Sequence, residues 1–182
     1  MAWRISYPEC RTRVIEDPLD DLIVRSDLIV RGRVVDEKTR LSPDEYHVWT
    51  DYTVEVLAVF KDAQQMIQTG SRIIVTRSGG NIILEGKPVR EDTPWFPPLR
   101  WIAPHILFIV QDPAVARNAN SGYSFTCGEI GVYELSNGRV VSNSFGKKNH
   151  RLIGELHNQS EVKFVEDLKS KITSPKKTNP VP

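Results

Sequence analysis

The side chains best able to do chemistry in this 182-residue chain are four histidines, two cysteines and several carboxylate pairs. His150 and His157 are seven apart. On one helix they would share a face but sit about 10.5 Å apart along the axis, too far to hold one ion. His47 and His105 stand alone in the sequence, and neither His-Glu-x-x-His nor Cys-x-x-Cys occurs. No metal and no cofactor is expected. Cys10 and Cys127 are too few for a disulfide-stapled miniprotein or a cysteine-rich zinc site. They can form one bridge or remain two thiols. Cys127 lies in Phe-Thr-Cys-Gly, where a buried structural or disulfide role is favoured over a reactive one. A reactive thiol needs a nearby base or positive field.

Nucleophilic and acid–base signatures are also missing. There is no Gly-x-Ser-x-Gly elbow. The pairs Asp20-Asp21, Asp36-Glu37, Asp44-Glu45 and Glu91-Asp92 are adjacent in sequence, so their side chains diverge. A glycosidase needs two carboxylates facing one sugar. Arg77-Ser78-Gly79-Gly80-Asn81 could offer backbone N–H groups to an anion, but it lacks the Lys and helix of a P-loop. A hairpin turn accounts for it better. The expectation is a protein without enzymatic activity. A hydrolase assembled from distant strands is one alternative.

The segment Pro94-Trp95-Phe96-Pro97-Pro98-Leu99-Arg100-Trp101-Ile102-Ala103-Pro104 holds three aromatics and four prolines. It either lids an open barrel end or offers a binding surface. Trp and Arg are favoured at interface hot spots, and Pro lowers the cost of ordering a loop. Trp95, Phe96, Leu99, Arg100 and Trp101 are the candidate contacts for a protein or peptide partner.

Alternation of apolar and polar residues places the strands that would carry this loop. Pro18–Ser26 predicts two helical turns, with Leu19, Leu22 and Ile23 on one face. A strand follows over 27–36. A long one spans 48–60, with Trp49, Asp51, Thr53 and Glu55 on its outer face. Strands are further expected over 71–77 and 82–84, joined as a hairpin. Residues 85–104 read as loop, because a central strand cannot hold so many prolines. His105–Val110 is apolar throughout, which suits a strand buried on both faces. Short strands follow over 122–127, 129–135 and 139–142, the last after an Asn-Gly turn. A short helix is placed over 147–157. Ser160 can cap a helix over 161–172, with Val162, Val165, Leu168 and Ile172 inward.

The fold class is therefore mainly β: an OB-like barrel, closed or partly open, with a C-terminal helix and a short helix before the first strand. Residues 1–17 read as an irregular segment, 18–172 as a single domain and 173–182 as a disordered tail. The 24 Lys+Arg and 23 Asp+Glu leave a net charge of +1. That balance disfavours nucleic acid as a partner. Arg31, Arg33 and Trp49 could still suit single strands, which keeps that alternative open. No apolar run is long enough to span a bilayer. No signal segment is visible, so the chain reads as soluble and cytoplasmic, or extracytoplasmic if a signal was trimmed. The oligomeric state is not written in it.

One order of segments has a familiar form. Ser26-Asp-Leu-Ile-Val-Arg-Gly-Arg-Val-Val35 is followed by Tyr52-Thr-Val-Glu-Val-Leu-Ala-Val-Phe-Lys61, and then by Ile106-Leu-Phe-Ile-Val110. It resembles the inhibitory domain of the tissue inhibitors of metalloproteinases and the related netrin-like modules. It is also similar to uncharacterised bacterial domains of the same plan. The resemblance covers roughly residues 26–110 and implies a five-stranded OB barrel flanked by helices. In the inhibitors, an N-terminal cysteine puts its amine and carbonyl on the protease zinc. Here Cys10 lies inside the chain, and Arg25 stands where the inhibitors usually have a cysteine. Metalloprotease inhibition would therefore need processing that exposes Cys10.

Overall fold

The computed structural model describes residues 17–93, 96–116, 122–142 and 156–174. Its first element is helix α1 (Pro18–Arg25). Asp17 begins it, its carboxylate accepting the N–H groups of Leu19 at 3.0 Å and Asp20 at 3.3 Å. That satisfies donors a helix start leaves open. Leu19, Leu22 and Ile23 are buried on one face, as their spacing predicts. Lys61 closes the other end, its Nζ donating to the carbonyls of Ile23 at 2.7 Å and Ser26 at 2.5 Å.

Five strands form a closed barrel: β1 (Leu28–Leu41), β2 (Val48–Asp62), β3 (Arg72–Ser78), β6 (His105–Gln111) and β7 (Tyr123–Phe125). Around the barrel the order is β1-β2-β3-β7-β6 and back to β1. All neighbours are antiparallel except β3 and β7. The sequence expects β1 and β2 but underestimates both. β1 continues to Leu41 because its polar second half pairs with β2 out to Leu41 opposite Val48. Three register shifts bend β1, between Ile29 and Val30, Arg31 and Gly32, and Val34 and Asp36. Such bulges bend a strand so that it can pair with neighbours around a closed barrel. Gly32 sits at one of them. A Cβ there would run into Cγ1 of Val54, so the close approach needs a glycine.

β8 (Val132–Ser136) pairs with β6 outside the barrel ring, and β9 (Arg139–Ser142) with β8. Asn137 and Gly138 both have positive φ, 52° and 70°. This is the two-residue turn that the Asn-Gly pair predicts. A 3-10 turn (Gly128–Gly131) leads into β8.

Period-two alternation sorts the apolar residues of β1 and β6 into two cores. Val30, Val54, Ile73, Leu107 and Phe125 fill the barrel. Ile29, Ile106, Phe108 and Tyr133 pack under α1 and the last helix, α2 (Glu161–Thr173). β6 is buried on both faces along most of its length, as its continuous apolar run predicts. In α2 the buried pair is Phe164 and Leu168, whereas Val162 is exposed. Leu168 is buried and Val165 and Ile172 pack against the same core, as their spacing predicts; only Val162 is displaced, because the larger Phe164 takes the place at the core beside Tyr133, 5.5 Å between ring centroids. Ser160 stands at the cap position but its side chain makes no cap hydrogen bond; its backbone bridges to Arg139 instead. Lys171 ties α2 to α1 through Asp17 at 2.6 Å and Asp20 at 2.7 Å.

One sequence expectation is overturned between 79 and 91. β4 (Gly80–Leu84) does not fold back on β3. It pairs with β5 (Lys87–Glu91), inside the stretch read as loop, to make a separate two-stranded sheet. Glu85 and Gly86, with φ of 49° and 76°, form its turn. Pro88 is tolerated because both strands of a two-stranded ribbon are edges, where an absent N–H need not break a ladder. The irregular start, the 147–157 helix apart from its last residues, and the tail beyond Ser174 lie outside the described residues.

Candidate functional site

The loop after β5 returns the chain to β6 and is pinned to the barrel at two points. Phe96 is buried, its ring edge-to-face on Phe125 at 5.2 Å and 5.5 Å from the Arg77 guanidinium. Leu99 is buried as well, and its N–H donates to the Tyr52 hydroxyl at 3.3 Å. These two residues lid the barrel end. Beyond them the chain turns outward. Arg100 is exposed and reaches the buried Glu134 at 3.3 Å. Trp101 is 47% exposed, with Nε1 donating to Oε2 of Glu37 at 3.2 Å. Ile102 is 95% exposed. Trp95 lies outside the described residues. The five sequence candidates therefore divide: Phe96 and Leu99 anchor, Arg100 and Trp101 face solvent. Ile102 extends the exposed part.

Beside the anchors lies an open cleft of about 830 Å³. Glu37 and Thr39 of β1, Thr50 and Tyr52 of β2, and Arg77 of β3 line it from the barrel. Asn81, Arg90 and Glu91 line it from the β4–β5 ribbon, and Thr93, Phe96, Pro97 and Pro98 from the loop. The ribbon, a sheet separate from the barrel, forms the second wall. Glu91 is occupied by the Val48 N–H at 2.5 Å and by Nδ1 of His47 at 3.3 Å. Asp92 holds Arg90 at 2.6 Å. Arg77 is buried, and one of its Nη1 contacts is to Oγ1 of Thr93 at 3.1 Å, the other to the Phe96 carbonyl. Burial holds the Tyr52 phenol above its ordinary range against the opposing pull of Arg77, so it stays protonated.

Neither a protein-family model nor a curated protein matches this chain.

The remaining chemistry-bearing residues are scattered. His105 is buried at the start of β6, and neither ring nitrogen makes a well-formed hydrogen bond. Burial lowers its pKa to about 4, against a weaker pull from the Ala103 backbone, and the nearby Arg100 cation adds to the depression. The folded-state value lies below the unfolded one near 6.5. The contribution of neutral His105 is therefore present above about pH 6.5 and is lost as pH falls towards 4, because the unfolded chain takes up a proton that the folded chain refuses. The expected loss is about 3 kcal/mol. Denaturant unfolding at pH 7 and pH 4 should show it, and His105→Leu should flatten that part of the profile.

His157 caps β9, its Nδ1 accepting the Ser142 N–H at 3.1 Å. His150 lies outside the described residues. Among the described residues no three His, Cys, Asp or Glu side chains gather as they would around a metal ion. Cys127 is disulfide-bonded and buried, at φ 55° ahead of the 3-10 turn. Cys10 lies outside the described residues. The outer-face cations considered for nucleic acid are paired: Arg31 with Glu161 at 3.0 Å and Arg33 with Glu55 at 2.7 Å. Trp49 alternates with the barrel-core residues Tyr52 and Val54, as its spacing suggests, but its face of β2 is covered there. It is buried, with Arg40 over its ring at 4.6 Å, and so cannot stack on a base. Among the described residues no helix is long and apolar enough to cross a membrane.

Sequence reasoning found the loop but missed the cleft. Arg77 and Tyr52 look like ordinary strand residues. Only the barrel's closure and the ribbon's displacement bring them together with residues 93–98.

Proposed function

We propose that the protein is a non-enzymatic binding module that contacts a protein or peptide partner through the loop over 94–104. The observation that carries this is the pairing of a rigid base with an exposed apolar tip. Phe96 and Leu99 fix the loop in the core, while Trp101 and Ile102 face solvent. A pre-ordered loop loses little conformational entropy on binding, so its apolar area converts efficiently into affinity. Trp and Arg at its centre suit a hot spot. The barrel order 1-2-3-5-4, with a parallel pair between the third and fifth barrel strands, supports an OB-fold of netrin-like type. The disulfide at Cys127 supports an oxidising compartment over the cytoplasm.

The test is a pair of variants, Trp101→Ala and Ile102→Ser, used as baits in the host organism beside the wild type. Neither residue is in the core, so thermal midpoints should stay within a few degrees. A partner retained by the wild type should be lost, with affinity down about tenfold or more. Equal recovery by all three baits refutes the loop as contact surface.

A further inference from the structure

The cleft beside the loop contains a buried guanidinium that forms no ion pair among the described residues. Arg77 is only 4% exposed. Its Nη1 is held by neutral oxygens, those of Thr93 and the Phe96 carbonyl, and its Nε is buried with no partner. No carboxylate among the described residues forms an ion pair with it. A buried cation without a counter-charge is costly, and an anion seated beside it would offset that cost. Next to it the Tyr52 hydroxyl accepts the Leu99 N–H, which leaves its own proton to donate. Guanidinium and phenol both line the same cleft.

The rest of the lining narrows the class of anion. Asp92 is matched by Arg90, which leaves Glu37 and Glu91 in the lining to disfavour a dianion such as phosphate. A single carboxylate fits one guanidinium, which can grip both of its oxygens through adjacent N–H groups. Phe96, Pro97 and Pro98 offer an apolar wall to whatever carries the carboxylate. We propose that this cleft binds a monocarboxylate with an apolar or aromatic body, its carboxylate on Arg77 and the Tyr52 hydroxyl. The carboxylate belongs either to a small acid or to the C-terminus of a peptide. The inference does not require the loop tip to bind a partner.

The full chain is titrated with 3-phenylpropionate and with its neutral amide, at constant ionic strength. In parallel it is titrated with a tripeptide ending in Phe, as free acid and as C-terminal amide. The acids should bind at least about tenfold more tightly than the amides. The Arg77 Nε–H resonance of the wild-type protein should shift with acid and not with amide. That readout does not depend on a variant folding, which matters because Arg77 also holds the loop. Arg77→Lys keeps the charge but loses the fork and should weaken acid binding, whereas Ile102→Ser should leave phenylpropionate binding unchanged while disabling the loop tip. Phenylpropionate binding alone identifies a small acid as the source. Tighter binding of the tripeptide acid identifies a peptide terminus. Equal binding of acid and amide, no binding of either acid, or acid binding that leaves the Arg77 resonance unmoved overturns the proposal.

Discussion

Asp51→Ala is expected to destabilise the barrel by about 3–5 kcal/mol. Asp51 lies on β2 and is buried. Its Oδ2 accepts from Nε of Arg40 at 2.7 Å, and its Oδ1 from the Thr76 hydroxyl at 2.8 Å. The side chains of the ion pair are 13% and 9% exposed, so solvent screens them little. Arg40 also donates to the Val115 carbonyl at 3.2 Å and lies over Trp49. Three strands, β1, β2 and β3, therefore meet at this carboxylate. Removing it leaves the guanidinium and the Thr76 hydroxyl without their acceptor at a site that little solvent reaches. The cost is that of an unpaired buried charge, which exceeds the net worth of the pair itself. Asp51→Asn keeps an acceptor and should cost less. Arg40→Met combined with Asp51→Ala should recover part of the loss, since no bare charge is left. Urea midpoints with unchanged slopes would measure all three. A loss under about 1 kcal/mol for Asp51→Ala would place the pair among solvated ion pairs.

Reducing the Cys127 disulfide is expected to cost about 4–5 kcal/mol, if the bridge closes a loop on the order of 100 residues. The chain has two cysteines, so a bridge within one chain joins Cys127 to Cys10. The stabilisation comes mainly from restricting the unfolded chain, and it grows slowly with loop length. Peptide mapping without reduction should return the Cys10–Cys127 pair. Thermal unfolding with and without reductant should differ by about 8–20 degrees for a domain of this size and this expected cost. Two alkylatable thiols in the protein from its host would instead favour a reducing compartment. The same mass measurement shows whether a mature chain begins at Cys10, the condition for the inhibitor-like alternative.

The elements were readable where a local rule decides. Alternation placed β1, β2 and β6, the Asn-Gly pair placed the β8–β9 turn, and Pro18 with the Leu19, Leu22 and Ile23 spacing placed α1. Local rules gave a wrong answer where partner choice is not local. The turn residues Ser78 to Asn81 suit a hairpin, yet β4 pairs with β5, because Glu85-Gly86 supplies a tighter turn and β3 is already shared by β2 and β7. In α2 spacing placed Val165, Leu168 and Ile172 on the core side but missed Phe164, which is buried in place of Val162 because Tyr133 packs beside it. The loop over 94–104 was visible from composition, but its division into anchors and exposed tip was not. Phe96 and Leu99 differ from Trp101 and Ile102 only in what the barrel places beneath them.

By itself the sequence determined that this is a mainly-β chain with a helix at each end, because periodicity and turn chemistry act over a few residues. The tertiary structure alone decided that Arg77, Tyr52, Thr93 and Phe96 to Pro98 share one cleft, and that Arg77 is buried there with no ion pair among the described residues. Those facts depend on strand closure across long sequence separations, and on a ribbon displaced from the barrel, for which no short-range pattern carries a signal.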